Sequence, residues 1–306
     1  MRIDLVTVPY RYDELGEGLG AGPDALLAAG LADQLAAAGL EFTGPHEACL
    51  DPASREEGRT ALNIGRLGAE TARLVAAARR NGAGALVLAG DDTAAIGIVS
   101  GLQQADGAGA SIGVVWIDAH GDFNTPETSF SGILAGMPVA ILAGLAGPLW
   151  REAAGLAAPV PTDRIVLAGT RELDEKETEL LRSTEVRVVT AGELRADDRF
   201  SGVVDWLANR CSLLYLHVDL DVLDPRFVPS ASTPSANGLT VEQLVTTMSA
   251  VLNTGKVAAL AISSLNPGAG ARGERSVTSA MKTLTGALPR WTSTPNAPDI
   301  PEDRPG

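Results

Sequence analysis

Basic residues are scarce in this chain: 24 Lys+Arg face 38 Asp+Glu across 306 residues, a formal net charge of −14 with the three histidines neutral. Lys176, Lys256 and Lys282 are its only lysines. So acidic a chain lacks the Lys/Arg patches that neutralise a phosphate backbone, and the polybasic surface that holds a protein to an anionic membrane. Nucleic acid and membranes are therefore not expected partners. Cysteine is equally sparse: Cys49 and Cys211 stand in unrelated contexts with no CxxC spacing, and both are read as reduced thiols. No apolar stretch free of charges or Gly/Pro breaks reaches the roughly 20 residues a membrane span needs. Met1-Arg2-Ile3-Asp4 does not open into the apolar core of a secretory leader, so the cytoplasm is the expected compartment. Gly90 is not followed by GxxxxGK[ST], which removes a phosphate loop.

What remains is a chain with a 45% apolar and 20% charged composition, that of a globular protein long enough for one large domain or two small ones. Short apolar runs alternate with helix-periodic stretches, the pattern of βαβ units around a parallel sheet. Strands are expected at Ile3–Val8, Ala85–Ala89, Gly113–Ile117, Arg164–Leu167, Val186–Val189, Leu213–Val218 and Val257–Ile262. Helices are expected at Pro23–Ala38, Ala61–Arg80, Ala94–Leu102, Met137–Leu145, Glu175–Ser183, Gly202–Asn209, Val241–Leu252 and Ser276–Leu284. Pro23 after Gly22, and Thr240 ahead of Val241-Glu242-Gln243, mark two helix starts. No linker divides the chain, so residues 1–288 read as one doubly wound α/β domain with helices on both faces of a mainly parallel sheet. Residues 289–306, rich in proline and poor in large apolar side chains after Trp291, read as a mobile tail; the alternative is a strap packed through Trp291 and Ile300.

Chemistry concentrates at two strand ends. In Trp116-Ile117-Asp118-Ala119-His120-Gly121-Asp122, the polar residues Asp118, His120 and Asp122 are spaced by two and project to one side of an extended segment. In His217-Val218-Asp219-Leu220-Asp221, His217, Asp219 and Asp221 share one face and the apolar residues the other. Ligands of doubly wound sheets sit at the carboxyl ends of strands. Carboxylates clustered there repel and resist desolvation unless a cation joins them, and oxygen donors with one imidazole suit Mn²⁺ or Mg²⁺. Asp224, before Pro225, reads instead as a turn or cap residue, Trp116 as core, and His46 as an exposed loop residue.

Together the segments DAHGDFNTPET and DLDVLDP resemble the metal signatures of the ureohydrolase superfamily, which includes arginase, agmatinase and formimidoylglutamase. Gly20-Ala21-Gly22-Pro23, Gly90-Asp91-Asp92, Gly136-Met137-Pro138, Asn237-Gly238-Leu239-Thr240 and Leu265-Asn266-Pro267 follow in that family's order. The resemblance implies a three-layer α/β/α fold and a binuclear Mn²⁺ site that activates a hydroxide against a C–N bond. It implies bridging roles for Asp118 and Asp219, a catalytic and metal-binding role for Asp122, and metal-ligand roles for His120 and Asp221. It also implies substrate contacts at Asn124, Ser131 and Asp174, and a homo-oligomer, trimer or hexamer. His217 is expected to support a ligand carboxylate from behind.

Three positions depart from the family pattern. Asp92 stands where the first metal-binding histidine is usual; either it serves as a ligand, or it points away and only the metal held by His120 stays. Ala135 replaces a proton-shuttling histidine, and Ser264 replaces a glutamate that pairs with a guanidinium. The implied activity is hydrolysis of an amidine, guanidine-like, formimino or amide group in a small molecule other than arginine or agmatine. The alternative is a relative that kept the fold and binds metal or ligand without turnover.

Overall fold

The structure, a computed structural model, describes residues 1–196 and 199–296. Its strands are β1 (Arg2–Val8), β2 (Tyr10–Arg11), β3 (Glu14–Leu15), β4 (Glu41–Glu47), β5 (Gly84–Ala89), β6 (Ile112–Ile117), β7 (Ile165–Thr170), β8 (Arg187–Thr190), β9 (Leu213–Asp219) and β10 (Val257–Ser263). Around them lie α1 (Gly22–Ala28), α2 (Leu31–Ala37), α3 (Thr60–Arg80), α4 (Ala95–Asp106), α5 (Pro138–Leu142), α6 (Pro148–Ala153), α7 (Glu175–Arg182), α8 (Ala191–Ala196), α9 (Arg199–Ala208), α10 (Val241–Leu252) and α11 (Ala271–Ala287). Eight strands form one sheet in the order β4-β1-β5-β10-β9-β6-β7-β8, each neighbouring pair parallel. All seven expected strands are present: six are inner strands, buried on both faces and so readable as apolar runs, and β8 is a half-exposed edge strand.

Side chains of the sheet feed two apolar layers. Leu214, Leu216 and Val218 of β9 enter the layer packed by α10 and α11, while Leu213 and Tyr215 enter the one packed by α3 and α4. Thr240 caps α10 as its sequence suggests: its hydroxyl accepts from the Gln243 N–H at 3.2 Å, and the Gln243 side chain accepts from the Thr240 N–H at 2.9 Å.

The departures from expectation have local causes. The edge strand β4 has no apolar face and contains Pro45, so it carried no strand signal; His46 lies in this strand rather than in a loop, and is exposed. The expected helix Pro23–Ala38 is two helices, broken where Gly30 takes the left-handed conformation (φ 78°). The expected Met137–Leu145 helix is the single short α5, and α6 and α8 are too short to show a period. Helix α11 starts at Ala271, ahead of the expected Ser276; its first turn is mostly exposed and polar, with no apolar stripe to register.

The stretch expected to leave the body at residue 289 stays on it as far as Pro295. Trp291 is fully buried and donates its indole N–H to the Val257 carbonyl at 3.0 Å. Arg79, buried against Asp106 at 2.6 Å, also holds the Pro295 carbonyl at 2.6 Å. One large aromatic ring outweighs the proline-rich composition around it. Residues 297–306, Ile300 among them, lie outside the described residues. Among the described residues, no helix is long and apolar enough to cross a membrane.

Candidate metal centre

Strand register assembles the centre. Ile117 of β6 pairs with Val218 of β9, so Asp118 and Asp219 leave the sheet side by side, and Ser263 at the end of β10 pairs with Asp219. From β6 the chain continues to β7 on one side, and from β9 to β10 on the other. Between them lies a switch point of the winding, where a crevice opens at the carboxyl ends of the strands. After β5, the Asp91 side chain accepts from the Thr93 N–H at 3.0 Å and from the Tyr12 N–H at 2.7 Å. These bonds fix the turn that carries Asp92 into the same crevice.

Two groups of side chains converge there, each with ligand atoms within 4.8 Å of one another: Asp118, His120 and Asp221, and Asp92, Asp118 and Asp122. Asp118 belongs to both. Its carboxylate accepts from the Trp116 indole N–H at 3.0 Å and the His120 backbone N–H at 2.8 Å. His120 Nδ1 lies 3.2 Å from Asp221 and 3.3 Å from Asp118. Thr233 donates to the same Asp221 oxygen, Oδ2, at 2.7 Å. Asp219 lies on the same floor outside both groups, accepting from the Asp221 N–H at 2.6 Å. Asp122 has a left-handed backbone (φ 47°), and its buried Oδ2 has no hydrogen-bond partner.

Burial, followed by the neighbouring Asp118, pushes Asp122 well above the usual carboxylate range, and burial with Asp221 does the same to Asp219. Asp221 is raised by burial and by Asp118. Burial disfavours charge on His120, but hydrogen bonds to Asp118 and Asp221 outweigh it and hold the ring up at about 11. Without a cation, the cluster is thus compensated by protons. Oxygen donors with one imidazole, an unpartnered buried carboxylate oxygen and mutually repelling acids fit a hard divalent ion.

Above this floor opens a pocket of about 510 Å³. Ile133, Leu173 and Pro234 give it apolar walls, and Glu172, Asp174 and Glu177 give it a carboxylate side. Asn124, buried, donates to Asp174 at 3.1 Å, whereas Ser131 is exposed on the rim. Asp174 caps α7, and Glu177 on its first turn accepts from the Phe123 N–H at 2.8 Å and the Asp174 N–H at 3.3 Å. Burial pushes Glu177 up to about 7. Glycine at 121 leaves room for this approach, since a Cβ there would lie 2.6 Å from Glu177 Oε1.

Four of the six expected ligand residues and all three expected substrate residues therefore line one pocket, and Asp118 and Asp221 are grouped with the ligands beneath it. Asp224 turns away and accepts from Arg226 at 2.7 Å, as a turn residue does. The profile of the arginase family matches residues 2–288. The chain belongs to the arginase family. It is 32% identical to the arginase of Bacillus caldovelox over 253 residues, 79% of this chain and 83% of that protein. It is likewise 32% identical to the arginase of Neurospora crassa over 285 residues, 87% of this chain and 78% of that protein. The native crystal structure of the Bacillus caldovelox arginase superposes with a TM-score of 0.82 at 28% identity, covering 94% of this chain and 97% of that one.

Within this arginase-family pocket, the three departures lie close together. Ala135 lines the wall, and Asp92 lines the floor. Ser264 has a left-handed backbone (φ 65°) and donates its hydroxyl to Asp92 Oδ2 at 3.3 Å. Sequence reading missed Glu177, Thr233 and Arg171. Arg171 holds the wall loop through the Ser235 carbonyl at 3.0 Å and the Asp221 carbonyl at 2.9 Å. The only sequence signal for Glu177 was its place three residues after a helix-capping aspartate.

Proposed function

We propose that this arginase-family chain is a manganese-dependent hydrolase of a linear C–N bond in a small molecule other than arginine or agmatine. Asp92, Asp118, His120, Asp122, Asp219 and Asp221 would hold one or two Mn²⁺ ions. Such ions, when bound, polarise water enough to make it a nucleophile at neutral pH. The observation that carries the reading is the convergence of four potential ligand side chains on a fifth, Asp118, with a buried Asp122 oxygen left unpartnered.

The chain's own residues then divide the work. Asn124, Asp174 and Ser131 offer hydrogen bonds to the polar end of a substrate, and Ile133, Leu173 and Pro234 pack against its stem. Ala135 carries no proton, and the hydroxyl of Ser264 is turned to Asp92, so neither provides a charged partner for a guanidinium. An amidine, a hydroxylated guanidine, a formimino group or an amide suits this floor better. A homo-oligomer, trimer or hexamer, and a cytoplasmic location belong to the same reading; sedimentation and cell fractionation test them.

Manganese content after expression in Mn²⁺-supplemented medium, followed by urea or ammonia release across a panel of guanidines, amidines and amides, tests the proposal. Retained manganese with turnover of a non-arginine substrate supports it. Protein that retains no divalent metal sinks it. Metal without turnover of any compound favours a non-catalytic relative, which the replaced Ala135 and Ser264 would explain.

A further inference from the structure

The imidazole missing from position 92 has a counterpart one strand layer behind. His217, on β9, is 1% exposed and lies flat on Trp116, with ring centroids 3.5 Å apart and planes 6° apart. Its Nε2 is 2.9 Å from Asp92 Oδ1, and its Nδ1 is 2.7 Å from the Tyr215 hydroxyl. A carboxylate oxygen only accepts, so Nε2 carries the proton and donates to Asp92, leaving Nδ1 to accept from Tyr215. Ser263 donates to the same Asp92 oxygen at 2.7 Å. Both bonds fall on Oδ1, and the contact to Oδ2 is the longer one from Ser264.

We infer that His217 is a positioning residue that makes Asp92 a metal ligand: it anchors Oδ1 from behind and aims Oδ2 at Asp118 and Asp122. The inference rests on the proposed metal site. It deepens that proposal by assigning the chain's own compensation for the lost histidine. An aspartate is shorter than a histidine and has two rotatable bonds of its own, so a fixed donor behind it limits the orientations it must lose on binding. The stack on Trp116, whose indole N–H is bonded to Asp118, ties the anchor to the neighbouring ligand.

A double-mutant cycle read by Mn²⁺ calorimetry and metal stoichiometry tests this, with circular dichroism confirming folded protein. His217→Ala is expected to weaken Mn²⁺ binding about 10- to 100-fold. His217→Gln, which keeps an N–H donor near the place of Nε2, is expected to recover most of that loss and covers the case in which the alanine variant fails to fold. In an Asp92→Ala background, which removes the acceptor, His217→Ala is expected to add little, because the two act through one bond. Unchanged Mn²⁺ affinity in folded His217→Ala overturns the inference while leaving the metal site itself intact. So does an equal loss in both backgrounds, which would trace the effect to Trp116 and Asp118 instead. Wild-type protein that binds no Mn²⁺ overturns the underlying proposal and this inference with it.

Discussion

The two sides of the pocket floor have fared differently. On one, Asp118, His120 and Asp221 carry the donor types that the arginase family pattern calls for, locked by Thr233 and by contacts of 3.2 and 3.3 Å to the imidazole. On the other, Asp92, Ala135 and Ser264 all depart from that pattern, and Asp92 is braced by His217 and Ser263. Asp92 is the hub of the second side: His217 and Ser264 each hydrogen-bond to it. Residues that share a partner are coupled, so mutations at 92, 217 and 264 are expected to act as one unit rather than additively.

This asymmetry can be broken most severely through Asp118, the residue both sides share. Asp118→Ala is expected to abolish Mn²⁺ retention, measured by elemental analysis; a variant that still binds metal would show that the two groups are not one centre. Next, the sides can be separated by stoichiometry. Asp122→Asn is expected to keep a single equivalent of Mn²⁺ on the His120 side, whereas His120→Ala should leave only the weaker site, both read by calorimetry.

A pH series of thermal melts sharpens the same contrast. In metal-free protein, His120 is raised from 6.5 to about 11 and Glu177 from 4.5 to about 7. Groups raised on folding add stability that is complete below their unfolded values and disappears as pH rises through the folded ones. The metal-free protein should therefore lose stability from about pH 4.5 to 7 through Glu177, and from about pH 6.5 to 11 through His120. Mn²⁺ must displace the cluster's protons, so the stabilisation it adds should grow over the same range. At 100 times its dissociation constant that stabilisation is about 2.7 kcal/mol. A Mn²⁺-induced rise in melting temperature that shrinks with rising pH would contradict the protonated cluster. The smallest effect tests the pocket wall: Ala135→His with Ser264→Glu is expected to raise urea release from arginine by about tenfold or more, the worth of one charge-assisted hydrogen bond. No gain would show that other wall residues exclude arginine.

Much of this was legible beforehand, and unevenly so. The six inner strands declared themselves because parallel strands covered on both faces are largely apolar, and edge strand β8 through its Val188-Val189 pair. Edge strand β4 did not, since one row of backbone bonds suffices for it and its side chains face water. Asp118, His120 and Asp122 were conspicuous by their spacing of two, but Glu177 was invisible because its proximity to Phe123 depends on how α7 packs. Trp291 was weighed by the prolines around it, although its own burial decides where residues 289–295 go.

The order of residues along the chain settled the class of fold, the acidic character of the centre and the presence of alanine at 135 and serine at 264. Those follow from composition, from the two-residue repeat of an extended chain and from the side chains present. Only the folded sheet decided that β6, β9 and the turn after β5 deliver their carboxylates to one point, and that His217 reaches Asp92. Parallel register and strand order join residues more than a hundred positions apart, and no local pattern in a sequence encodes such a distance.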